Sequence, residues 1–249
     1  MRRIILTVLS LLVSVVAESQ TADTIINKYL KAVGTKERWI QLKSTVNKYE
    51  TKRANRIPDI NQSTLNYNSG LFFKVAKREG SVNLVRYVSV QENHPQDTST
   101  STFTGTDYWL QFRNEEPVRQ MFDLSEVARN SILGHPDRFL NADNFEYIGV
   151  REIDGVPCDI VRIKTGNMET DYYFDTRTNY LVLYHGKDKS MRTQLKDYRD
   201  VNGLKIPFTE EMSNEFGLIN LNQLVDIKID LTIDNEYFYK LIGDGLILK

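Results

Sequence analysis

Between Asp171 and Phe208 three strand signals follow one another with turn chemistry between them, and few folds can accommodate such a run. Tyr172-Tyr173-Phe174 is aromatic strand material, the segment from Asp175 to Asn179 is a polar turn, and Tyr180 to His185 alternates again. Leu195 to Val201 then runs into Asn202-Gly203, a pair that accepts positive φ at both central positions of a hairpin, and Leu204 to Phe208 returns from it. Two tight hairpins in succession leave no room for crossover helices, so this part of the sheet must be antiparallel.

The rest of the chain has the same cadence. Thr21 is placed to cap a helix in which Ile25, Ile26, Tyr29, Leu30 and Val33 share one face and Gly34 is the left-handed stop. A second helical turn offers Trp39 and Leu42 to the same core, and Ser44 to Arg53 is the first strand. Hairpin punctuation at Asn68-Ser69-Gly70, Arg78-Glu79-Gly80 and Thr104-Gly105 introduces strands over Leu71–Lys77, Val82–Val90 and Thr106–Phe112. The polar stretch from Gln91 to Thr102 reads as an exposed hairpin tip. Asp123 and Glu126 resemble a capping box for a helix whose face carries Leu124, Val127 and Ala128, ended by Gly134 and Pro136, with a further turn through Phe139 and Leu140. Strands resume at Phe145–Glu152 and Cys158–Thr165. After the meander, Ile227, Ile229, Leu231 and Ile233 alternate with polar residues, which predicts a last strand with one wet face. The count is about eleven strands, and an open sheet that long curls; two helical regions are well used closing its concavity.

Arg2-Arg3, an apolar run from Ile4 to Ala17 and the small residues Ala17 and Ser19 read as a signal peptide over residues 1–19, cut ahead of Gln20. The apolar run is short for a span of roughly 20 residues. Arg2, Arg3 and Glu18 leave with it, so the remainder is one unit more negative than the full chain's −1. Nucleic acid and anionic membrane surfaces are therefore poor electrostatic partners, and no stable membrane span is expected. Residues 20–249 read as a single domain. Cys158 is the sole cysteine, which excludes an intramolecular disulfide.

Residue types for catalysis are missing. His94, His135 and His185 are isolated and expected on the surface or in loops; no HExxH, GxSxG, GxGxxG or phosphate-cradling glycine loop occurs, and neither a metal nor a cofactor is expected. Glu210-Glu211 is an adjacent pair whose side chains must point to opposite faces of a strand, a poor acid/base arrangement. Asp226, Asp230 and Asp234 belong to a solvated face. What remains is aromatic: Tyr108, Trp109, Phe112, Tyr172, Tyr173, Phe174, Tyr180 and Tyr184 on strands, which either fill a core or line a groove.

ADTIINKYLKAVGTKERWIQLKS at Ala22–Ser44, GVPCDIVRI at Gly155–Ile163, DYYFDTRTNYLV at Asp171–Val182 and DYRDVNGLKIPF at Asp197–Phe208 together resemble the LolA/LolB/LppX-like lipoprotein-carrier superfamily in order and spacing. The resemblance implies an α+β fold: a strongly curved, unclosed antiparallel β-barrel with helices on its concave side and an apolar cavity for acyl chains. Leu84, Val88, Tyr108, Leu110, Phe112, Leu124, Val127, Leu133, Tyr172 and Phe174 are the residues expected to line it. It further implies a non-enzymatic periplasmic carrier of a lipid or acylated lipoprotein, passing cargo from an inner-membrane transporter to an outer-membrane acceptor. An envelope sensor or protein-interaction module on the same fold is the alternative.

Overall fold

The structure, a computed structural model, describes residues 21–54, 67–80, 82–92, 96–105, 107–113, 115–120, 135–140, 144–165, 168–188 and 190–239. Two helices, α1 (Ala22–Ala32) and α2 (Lys36–Gln41), open the described chain. Six strands follow: β1 (Ser44–Ala54), β2 (Tyr67–Glu79), β3 (Val82–Gln91), β4 (Thr98–Phe103), β5 (Tyr108–Phe112) and β6 (Val118–Gln120). A short helix α3 (Asp137–Leu140) precedes β7 (Phe145–Ile153), β8 (Val156–Thr165), β9 (Met168–Asp175), β10 (Leu181–Gly186), β11 (Arg192–Val201), β12 (Leu204–Asn214) and β13 (Gly217–Ile229), and α4 (Glu236–Tyr239) ends the described chain.

All strands belong to one curled, unclosed antiparallel sheet of 13, in the order β6-β5-β4-β3-β2-β1-β13-β12-β11-β10-β9-β8-β7. Except for β6 and β7, each strand pairs with its neighbours in sequence, and β1 pairs with β13, from Thr45 opposite Ile229 to Arg53 opposite Asn220. The opening therefore falls between β6 and β7, in the middle of the chain. The count exceeds the eleven expected because β4 and β6 were not foreseen. The Ser/Thr run taken for a hairpin tip is β4, paired with β3 from Val85–Phe103 to Val90–Thr98. Threonine's branched Cβ suits a strand even where little apolar side chain marks one.

At the other end, the alternation from Ile227 to Ile233 does not continue as strand. Asp230 turns into the left-handed region at φ 56°. Its N–H donates to the Ser44 carbonyl at 2.9 Å, and its carboxylate accepts from the Lys43 N–H and the Arg38 guanidinium, both at 2.9 Å. The side chain thus ties α2 and the start of β1 to the end of β13, and the chain then leads to α4. Phe238 of α4 packs fully buried on Val75 and Leu84.

Helices α1, α2 and α3 lie on the face that carries the main core. Thr21 caps α1, its hydroxyl accepting from the Thr24 N–H at 3.2 Å, and Ile25, Ile26, Tyr29 and Leu30 are buried as the periodicity predicts. Gly34 stops the helix at φ 124°, and a Cβ there would lie 2.5 Å from the Gly203 carbonyl oxygen. The Lys205 N–H donates to the Val33 carbonyl at 3.0 Å, so the helix end is seated on the Asn202-Gly203 hairpin. Phe139 of α3 meets Tyr29, Tyr172 and Phe174 with ring centroids 5.1–5.6 Å apart, mostly edge to face.

Arg78, near the end of β2, holds the helical layer together. Its guanidinium donates to the carbonyls of Trp39, Ile40 and Leu42 at 3.0, 2.6 and 3.3 Å, which are the otherwise orphaned acceptors at the end of α2. It also pairs at 2.8 Å with Asp137, whose side chain is only 3% exposed in the first turn of α3. Removing one partner of such a buried pair costs about 3 kcal/mol or more. Arg78→Met should therefore lower the melting temperature by about 6–12 °C, and adding Asp137→Asn should recover part of the loss in calorimetry. Gly34→Ala, which combines a disfavoured φ with a backbone collision, should cost on the order of 2 kcal/mol in the same measurement.

Candidate functional site

Side-chain alternation sorts the strands onto two faces. Val85, Phe103, Ile163, Tyr172, Phe174, Leu181, Leu195 and Leu204 join the helices in the main core, with Tyr87 and Tyr108 packed at its margin. Tyr172 and Phe174, expected to line a cavity, both lie buried in this packed core. Leu110 and Phe112 share the Tyr108 face by alternation, Phe112 being 55% exposed at the strand end. Leu84 and Val88 are a correction: Leu84 packs with Val75 and Phe238 on the opposite face, and Val88 has the same parity. Val85 and Tyr87 take the inward positions of β3, a one-residue choice that a strand with apolar residues at both parities does not settle. Leu124, Val127 and Leu133 lie outside the described residues.

The main core does not fill the concavity. A cavity of about 250 Å3 remains between the helical layer and the middle of the sheet. Tyr29 of α1, Trp39 of α2 and His135-Pro136 ahead of α3 form one side. Asn47 and Tyr49 of β1, Phe72 and Lys74 of β2, Tyr87 of β3, Ile206 and Glu210 of β12, and Asn222 and Ile227 of β13 form the other. Five of its fifteen lining residues are aromatic: Phe72 stacks on Tyr87 with centroids 5.6 Å apart and meets Tyr49 at 5.7 Å.

Six more are polar. Glu210 points inward and accepts from or pairs with His135 Nε2 at 3.2 Å, while Glu211 points outward to Lys196 at 2.5 Å, so the adjacent pair does divide between the faces. Burial works to raise the Glu210 carboxyl, but the His135 hydrogen bond and charge, Lys74 and the Asn222 amide outweigh it and hold the group below the usual glutamate range. Burial, with the Glu210 charge second, pushes the Tyr184 phenol up to about 12 and raises Tyr49 as well, so both remain hydrogen-bond donors at neutral pH. The Asn47 amide donates from Nδ2 to the Tyr49 hydroxyl at 3.1 Å. Its residue is 5% exposed, and its Oδ1 has no protein partner.

None of the seven described residues among those expected to line a cavity lines this one. Asn47, Lys74, Glu210 and Asn222 were missed because a polar residue on a half-wet sheet reads as solvent-facing; the available signal was Thr45, Asn47, Tyr49 and Thr51 recurring at alternate positions of β1, all of them buried. One histidine departs from expectation: His185 is buried on β10 with Nε2 2.8 Å from the Tyr173 hydroxyl, whereas His135 lies in the turn ahead of α3, partly enclosed beside the cavity. Burial pushes the Cys158 thiol up to about 11, with Asp175 and Asp159 adding to it, so it is a neutral thiol at ordinary pH.

A curled, open antiparallel sheet with helices laid into its concavity around a residual cavity is a LolA-like fold. Two solved structures share it: a DUF1329 family protein from Desulfovibrio piger, at TM-score 0.58 and 10% identity, and a LolA superfamily protein from Nitrosomonas europaea, at TM-score 0.55 and 12% identity. In each case the alignment covers 88% of this chain and 98% of the other. At that identity the likeness is one of fold. No family model matches the sequence, and no curated protein does.

Because the Glu210 carboxyl is lowered in the folded state, its ionisation contributes stability above the ordinary glutamate pKa of about 4.3, and that contribution is lost as pH falls through the lowered folded value. The difference in melting temperature between the native chain and Glu210→Gln should accordingly be largest near neutrality and close toward pH 3. A difference independent of pH would mean that the carboxylate charge is not what the His135, Lys74 and Asn222 side chains hold.

Proposed function

We propose that the protein is a non-enzymatic carrier of the bacterial envelope, exported with loss of residues 1–19 and taking a lipid or the acyl chain of a lipoprotein between its sheet and helices. The observation that carries this reading is a LolA-like fold over most of the chain whose concavity keeps a 250 Å3 space beside aromatic rings. No helix among the described residues is long and apolar enough to cross a membrane. A donor in the inner membrane and an acceptor in the outer membrane are the partners such a carrier requires.

The size of the cavity limits the cargo. At about 30 Å3 per water-sized group it holds roughly eight methylenes. Eight methylenes contribute about 6 kcal/mol, which does little more than offset the cost of association. A longer chain must part the helices from the sheet, and tight retention needs polar contacts in addition. The polar part of the lining also supports a second reading, an envelope sensor or interaction module that binds a small polar effector.

Protein taken from the periplasmic fraction under mild conditions should begin near Gln20 and show amphiphile adducts in native mass spectrometry, with the same species recovered by organic extraction. Clean protein that also takes up no fluorescent fatty acid would overturn the carrier reading in favour of the second.

A further inference from the structure

The polar part of the cavity lining is built for something more specific than hydrocarbon. Asn47 is enclosed on β1, lines the space, and leaves one amide polar atom without a protein partner whichever way the amide is turned. A buried polar atom left unmatched is costly, so the position makes sense when a group in the cavity completes it. Nearby on β13, the Asn220 amide donates to Asn222 Oδ1 at 3.1 Å while its own Oδ1 is buried without a partner. By the register that sets Asn222 opposite Glu210 and Asn220 opposite Met212, both asparagines lie on the Glu210 face.

The charges around these amides are balanced. Glu210 is met by His135 and by the positive charge of Lys74, and Lys205 at the margin is paired with Asp200 at 3.3 Å. A ligand bearing a full charge would disturb that balance in an enclosed space, where an unmatched charge is expensive. The lining offers acceptors in Asn47 and Glu210 and donors in Lys74, the Asn222 amide and the tyrosine hydroxyls. A hydroxyl is the group that donates and accepts through one small atom. Aromatic walls at Tyr49, Phe72 and Tyr87 suit the apolar faces of a compact polyol.

We propose that the cavity bounded by Asn47, Tyr49, Lys74, Tyr87, Glu210 and Asn222 is a recognition site for an uncharged, hydroxyl-rich group, presented as the head of the carried amphiphile. The inference rests on the carrier reading for the source of that group, and on the cavity alone for its chemistry.

Three probes separate the two: n-octyl β-glucoside below its micellar concentration, octanoate with the same chain length, and glucose without a chain. Binding to the unmodified full chain is read by calorimetry and by tryptophan fluorescence, to which Trp39 at the cavity contributes. The glucoside should bind at least about tenfold more tightly than octanoate and more tightly than glucose. Asn47→Leu, checked for folding by circular dichroism, should weaken the glucoside by about tenfold and erase its preference. Equal binding of glucoside and octanoate would overturn the head-group site and leave the carrier reading standing. Glucose binding as well as the glucoside would uphold the polyol site and overturn its source in a lipid. Failure of all three to bind would overturn both, and the ranking of probes on the unmodified chain decides these outcomes even if the variant does not fold.

Discussion

The Arg78 guanidinium is the interaction on which the arrangement of helices over sheet depends. A six-residue helix such as α2 has almost no stability of its own, because the first turn is costly and few hydrogen bonds follow. The four-residue α3 has less. Arg78 meets the carbonyl end of one, where the helix dipole favours a cation, and reaches the other through Asp137, the carboxylate that its first turn favours. A rigid planar donor on a strand can satisfy both at once, which a lysine could not do with the same geometry. Trp39, Pro136 and Phe139 are thereby held over the sheet, and the remaining volume becomes a defined cavity.

That cavity shows two tendencies held in balance. Around Tyr172, Phe174 and Phe139 the rings close on one another and exclude everything else. Some distance along the same face the inward positions are Asn47, Lys74, Glu210 and Asn222, which cannot pack dry against Tyr29 and Trp39. Polar residues placed inside a small domain lower its stability unless they are matched, and most of these are matched by one another. The space they leave is a consequence of chemistry as much as of curvature.

Much of the fold was legible because the local signals agreed with one another. Helix α1 had its cap, its apolar stripe and its glycine stop, and Asn202-Gly203 set a hairpin that the structure contains with both residues at positive φ. Failures came where one-dimensional pattern is silent. Strand β4 has the backbone of a strand and the composition of a loop; Ile227 to Ile233 has the alternation of a strand but is cut at Asp230 by contacts with residues nearly two hundred positions away. Leu84 and Val85 are equally apolar neighbours, and only packing decides which faces the core. Site residues were least legible of all, since Asn47 and Glu210 are ordinary strand residues until the sheet curls and encloses them.

The pairing of β1 with β13 makes the order of synthesis matter. Thr45 meets Ile229 across almost the whole length of the described chain, so the centre of the sheet is the last seam that can form. Each half can zip through local hairpins, but closing so long a loop is slow and waits for the final strand. Until then two partial sheets expose the edges of β1 and β13 and leave Arg38 without Asp230. A chain with this seam cannot complete its sheet until β13, near the end of the described residues, has been made.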